Sequence, residues 1–187
     1  NNHRGEVTAA DKWASAGRAL FPQALTADIN ACADFLNNHF VSRHNRYTFE
    51  PGLPKEVSDL LACLEKRYAV QCDGGCLTDP VLGELYGTIA QNFGFCGAEY
   101  LAECEDYIDR SVKAFGGGIV PEYKDQILRE YCYQVYAYLD AGLIDRAETI
   151  LRAYLAVEDW DQIWSKLTSK SFGPFQHAVL ARFLADS

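Results

Sequence analysis

The chain has 187 residues, of which 49% are hydrophobic and 23% charged, and it carries a formal net charge of −9. That length suits a single domain, residues 1–187, able to bury roughly 70% of the surface its unfolded chain would expose. An acidic chain without a local run of Lys and Arg repels phosphate backbones and anionic lipid, and no apolar stretch approaches the roughly 20 residues of a bilayer-spanning helix, so nucleic acid and membranes are set aside as partners.

Taken in chain order, the apolar spacing predicts helices throughout. Residues 9–20 form a short amphipathic helix closed by Phe21-Pro22, because the residue before Pro is pushed out of the α region. The next begins near Thr26, a candidate N-cap, and carries Ile29, Cys32, Phe35, Leu36, His39 and Phe40 at helical spacing. After a linker over 45–54, residues 55–70 place Val57, Leu60, Leu61, Leu64 and Tyr68 on one stripe, and a loop over 71–78 leads to Asp79-Pro80, with Pro at the first helical position. That helix runs to about Phe93, a turn over 94–97 follows, and its partner spans 98–115, with Glu99, Glu103, Asp106 and Asp109 opposite the apolar face. Gly116 to Gly118 read as a hinge before a helix that is apolar or aromatic nearly all round, from Tyr131 to Leu139, and is therefore expected at the centre of the fold. Helices over 143–157, 160–167 and 175–184 complete the chain, with Trp160 and Trp164 as anchors of the second of these. No stretch alternates with period two, so the fold class is all-α: stacked antiparallel helical hairpins, either an α-solenoid or an irregular helical bundle.

Hairpin turns pivot on Gly97 and Gly142, with Gly52 a weaker third. Over 131–159 the order of residues resembles a tetratricopeptide repeat: Tyr131 and Tyr138 stand where that family has helix-A aromatics, Gly142 where it turns, and Ala147 where a small residue lets the second helix approach the first. Val135, Tyr154 and Asp159 depart from the pattern, only Tyr86, Ala90 and Ala102 fit it around Gly97, and the turn-to-turn spacing exceeds the family's period of about 34 residues. The resemblance implies an interaction scaffold without catalytic residues, holding a peptide or helix of another protein in a groove lined by the first helix of each hairpin. Gln91, Asn92, Tyr133 and Tyr136 are the candidate partner-binding residues, and the acidic charge points to a basic or amphipathic partner, with an inhibitor or immunity-type role as a special case.

Seven cysteines leave at least one without an intramolecular partner. Cys32, Cys63, Cys104 and Cys132 fall on apolar stripes and read as buried reduced thiols, which favours a cytoplasmic setting; secretion after signal removal, with Cys72 and Cys76 as the easiest pair to bridge, is the alternative. Cys96, ahead of a helix start in a Gly-rich turn, is the alternative nucleophile of a thiol-dependent enzyme with His39, His44 or His177 as base. A carrier with an aromatic-lined cavity near Tyr131 to Tyr138 is a third reading. Zinc on Cys72, Cys76, His39 and His44 lacks the usual ligand spacing, and Glu99, Glu103 and Asp106 read as a solvated face, so no metal and no cofactor is expected. The chain also lacks a phosphate-binding Gly-Lys-Ser/Thr loop and the His-Glu-x-x-His of zinc proteases.

Overall fold

A computed structural model describes residues 3–44, 49–71, 78–154 and 173–186, and among these residues there are helices and connections but no strand. In chain order the α-helices are α1 (His3–Ala27), α2 (Ile29–His44), the single turn α3 (Leu53–Glu56), α4 (Ser58–Gln71), α5 (Pro80–Cys96), α6 (Leu101–Ala114), α7 (Lys124–Asp140), α8 (Ile144–Tyr154) and α9 (Pro174–Asp186). Helices α2, α5, α7 and α9 pack in succession as an inner layer. Behind them α4 lies on α2, α6 on α5 and α7, and α8 on α7 and α9, while α1 covers the far side of α2.

Local chemistry sets most of the boundaries. Asp79 caps α5, its carboxylate accepting the N–H groups of Val81 at 2.8 Å and Leu82 at 3.2 Å, and Pro80 follows where no donor is needed. At the end of α7 the Leu143 N–H reaches the Tyr138 carbonyl at 2.8 Å and the Gly142 N–H the Leu139 carbonyl at 3.1 Å, a pair of bonds that requires the left-handed φ of 70° at Gly142. The same pattern ends α6 at Gly116, φ 116°. Gly142→Ala is therefore expected to cost about 1 kcal/mol, read by urea denaturation as a lower midpoint at unchanged slope.

The amino-terminal boundaries differ from expectation. The helix expected to stop at Phe21-Pro22 continues through Pro22 to Ala27, because Phe21 is buried at 2% exposure against Phe35 and tertiary packing outweighs the lost hydrogen bond. The cap of α2 is Asp28, which accepts the Ala31 N–H at 3.0 Å, while the Thr26 hydroxyl turns back to the Gln23 carbonyl. The helix expected from residue 55 is split into α3 and α4 at Val57, and Gly52 has an ordinary φ of −75°. Gly94 lies inside α5, so the first hairpin turn is at Gly97, φ 127°. Cys63 is exposed, whereas Cys32, Cys104 and Cys132 are buried as their stripes require; all four, with Cys96, are free thiols. Cys72, Cys76, Asp159, Trp160, Trp164 and the helix expected over 160–167 lie outside the described residues.

Helix α7 is central, as its all-round apolar surface requires. Ile127, Tyr131, Tyr133 and Ala137 join the core built with α1, α2, α4, α5 and α6, while Leu128, Cys132, Val135, Tyr138 and Leu139 join a second core with α8 and α9. Its neighbour α5 carries Gly83, Gly87, Ala90 and Gly94 at intervals of four, three and four, a stripe of small residues on an otherwise apolar helix. A Cβ at Gly83 would stand 2.9 Å from the Phe115 ring, and one at Gly94 would stand 3.3 Å from the Cys104 sulfur and 3.4 Å from the Tyr133 carbonyl. These glycines let α6 and α7 close onto α5. That close fit fixes where the ends of the inner helices lie relative to one another.

Candidate functional site: an aromatic stack across the inner helices

Asn92, fully buried in α5, binds the backbone of Glu50 at both ends of its amide: Nδ2–H donates to the Glu50 carbonyl at 2.9 Å and Oδ1 accepts the Glu50 N–H at 3.3 Å. The side chain thus pins the segment that follows α2 to the face of α5. Pinned there, Phe49 stacks between His44 at 4.8 Å and Phe95 at 4.7 Å. Phe95 in turn stacks on Tyr136 at 4.4 Å, and the Arg182 guanidinium lies over the Tyr136 ring at 5.0 Å. Five side chains, His44, Phe49, Phe95, Tyr136 and Arg182, form one continuous stack from the end of α2 through α5 and α7 to α9. Phe175, at the start of α9, leans on Phe95 at 5.7 Å and on Tyr133 at 5.1 Å.

Each ring pair contributes roughly 0.5–1.5 kcal/mol beyond its burial, and the cation over Tyr136 about 0.5–1 kcal/mol. Asp140 at 3.5 Å and Asp186 at 3.3 Å hold Arg182 in place. Phe49, Phe95, Tyr136 and Phe175 are all half-buried, so part of the surface of each residue reaches solvent. At the other end His44 is buried, and its Nδ1 lies 3.2 Å from Gln91 Oε1, an acceptor, so that nitrogen carries the proton. Burial lowers its pKa against the opposing hydrogen bonds of Asn92 and Gln91, and the buried Nε2 has no hydrogen-bond partner. The imidazole is therefore neutral at pH 7.

Comparison with protein-family models, curated proteins and solved structures returns no match.

Six residues singled out in the sequence converge on this stack with different roles, His44 as its first rung. Tyr136 is a rung. Tyr133 is buried at 7% exposure and supports Phe175 and Phe95 from below. Gln91 orients His44. Asn92, expected to face a partner, is instead buried and clamps the Glu50 backbone. Cys96, expected to be acidified ahead of a helix start, is the last residue of α5, where the helix dipole presents its negative pole. Burial pushes its thiol up to about 11, with Glu99 and Glu50 adding to the shift, so the thiol is protonated at pH 7. Asn92 Nδ2 lies 3.8 Å from its sulfur.

Beside Tyr131, a cleft walled by Ile108, Val112 and Ile150 and rimmed by Glu105, Asp109 and Gln134 has a volume of about 190 Å³. Pockets that enclose a small ligand usually measure roughly 300–1,000 Å³. No helix among the described residues is long and apolar enough to cross a membrane.

Phe49, Phe95, Phe175 and Arg182 were not signalled as site residues by their spacing. Phe95 falls in a turn whose cysteine draws attention, and Phe49 in a connection and Phe175 and Arg182 on α9 meet it only through the tertiary packing.

Proposed function

We propose that this chain is a non-enzymatic protein-interaction scaffold that holds a basic or amphipathic peptide of a partner protein against its inner helices. One observation carries the reading: a row of half-buried aromatic residues crosses three successive inner helices, each partly open to solvent, on the layer where helical-hairpin scaffolds present their ligand face. The tetratricopeptide-like order over 131–159 supports it, with Ala147 buried where that repeat places a small residue. The net charge of −9 favours a basic partner, and the exposed Glu50 and Glu99 lie near the row. A thiol held protonated at Cys96 weighs against the thiol-enzyme reading, and the small cleft volume against the carrier. A reducing, cytoplasmic setting belongs to the same proposal.

The test is selection from a displayed random-peptide library, followed by affinity measurement with purified variants. Tyr136→Ala is expected to weaken a selected peptide at least about tenfold, because it removes a partly exposed ring and the seat of Arg182, while Cys96→Ser leaves binding unchanged. Affinity should also fall as salt rises, as for any acidic face recognising a basic segment. Peptides that bind Tyr136→Ala and Phe175→Ala as tightly as wild type would overturn the assignment of this face.

A further inference from the structure

Glu130 lies inside the seam between α5 and α7, 1% exposed. Its Oε2 has no hydrogen-bond partner, and its Oε1 meets a guanidinium nitrogen of the half-exposed Arg129 at 3.4 Å. The carboxyl presses on Gly87 of α5 so closely that a Cβ at that position would overlap it. A charged carboxylate here would exchange its whole hydration shell for one long contact, a balance that favours the protonated acid. Burial accordingly pushes its pKa up to about 8, with Arg129 pulling it down and Glu84 of α5 adding to the rise. The other groups facing it are Cys132 and Tyr133 of α7 and Cys104 of α6. Both thiols are raised to about 12 and the phenol is raised further, so all three titrate above the range in which Glu130 gives up its proton.

The seam reaches the stack directly. One and two turns along α7 from Glu130, the Tyr133 carbonyl and the Ala137 Cβ fit against Gly94, and the neighbouring residues Phe95 and Tyr136 form the closest rung.

We propose that Glu130 is a proton-operated latch on the α5–α7 seam: neutral, it lets α7 lie against Gly87 and Gly94, and on losing its proton to solvent it draws water and Arg129 into the seam and displaces the Phe95–Tyr136 rung. As regulation of a docking face, this rests on the scaffold reading given above. The native state holds this proton more tightly than the unfolded chain, so the stabilisation is complete below about pH 4.5 and is lost as pH rises through about 8.

The experiment is amide hydrogen exchange and thermal denaturation of the full chain at about pH 6 and about pH 9, for wild type, Glu130→Gln and, as a second neutral variant, Glu130→Met. In wild type the α5 and α7 amides, corrected for intrinsic exchange, are expected to open at least about tenfold faster at the higher pH, and both neutral variants should lose most of that difference. Parallel pH responses in all three proteins would overturn the latch. Neither readout requires a peptide ligand, so failure of the latch and failure of the docking reading are separable. If wild type alone loosens while the affinity of a selected peptide stays constant over the same range, the coupling to the docking face is overturned.

Discussion

Asn92→Leu is expected to destabilise the chain by roughly 2 kcal/mol. The volume is close to conserved, so the loss is mainly one of hydrogen bonding. The Glu50 N–H loses its partner and the Glu50 carbonyl loses one of two, keeping the Leu53 N–H at 3.0 Å, and a part-covered backbone donor left unpaired costs about 1–3 kcal/mol. The consequence extends beyond stability, because this clamp is what presents Phe49 between His44 and Phe95. Binding of a selected peptide should therefore weaken even under conditions where the variant is fully folded. Urea denaturation gives the first quantity and titration calorimetry the second. A variant as stable as wild type would show that the Glu50 segment is held by something other than this amide, and full affinity in a destabilised variant would place Phe49 outside the docking face. Asn92→Asp sharpens the test: the carboxylate still accepts the Glu50 N–H, but it offers the carbonyl no donor and adds a negative charge beside Glu50.

Which parts of this arrangement were legible in the sequence follows the range of the interactions that set them. Asp79-Pro80 announces the start of α5 and Gly142 the end of α7, because an N-cap and a left-handed C-terminal residue act within four positions of themselves. The central place of α7 was legible from its composition alone. Pro22 misled, since its effect depends on whether Phe21 finds a site on α2, which is a tertiary fact. The stack is harder still. Its members are a His, three aromatics and an Arg on four helices and the segment after α2; Tyr136 and His44 stand out in the sequence, but only the glycine-mediated closeness of α5 and α7 brings the five into line. Asn92 is a partner-binding candidate in the sequence and an internal clamp in the fold. A polar residue on an apolar helix has two outlets, a partner or the chain's own backbone, and sequence spacing does not distinguish them. The glycine stripe was the available signal that went unread: four small residues at helical spacing within seventeen apolar-rich positions of α5 mark a helix onto which others close.

That stripe supplies the second large effect. Gly87→Ala ought to stabilise an isolated helix by about 1 kcal/mol, since alanine is the better helix former. Here the change is expected to cost roughly 2 kcal/mol instead, because the new methyl occupies the space of the Glu130 carboxyl. A carboxyl is the far end of a flexible side chain, and on a surface it would swing aside at little cost. Glu130 is 1% exposed and walled in by the seam, so it can move only by prising α7 from α5 or by leaving for solvent past Arg129. A double-mutant cycle separates this clash from a general intolerance of α5 to bulk. In Glu130→Ala the obstructing atoms are gone, and Gly87→Ala made in that background should recover most of its penalty, giving a coupling of at least about 1 kcal/mol. Thermal or urea denaturation of the four proteins at about pH 6, where the acid is neutral, keeps charge out of the comparison. Additive costs would mean that Gly87 serves backbone approach alone and that the carboxyl has room the seam does not reveal; a strong coupling would show that the small residue on α5 and the buried acid on α7 are two halves of one contact, selected together by the closeness of the helices.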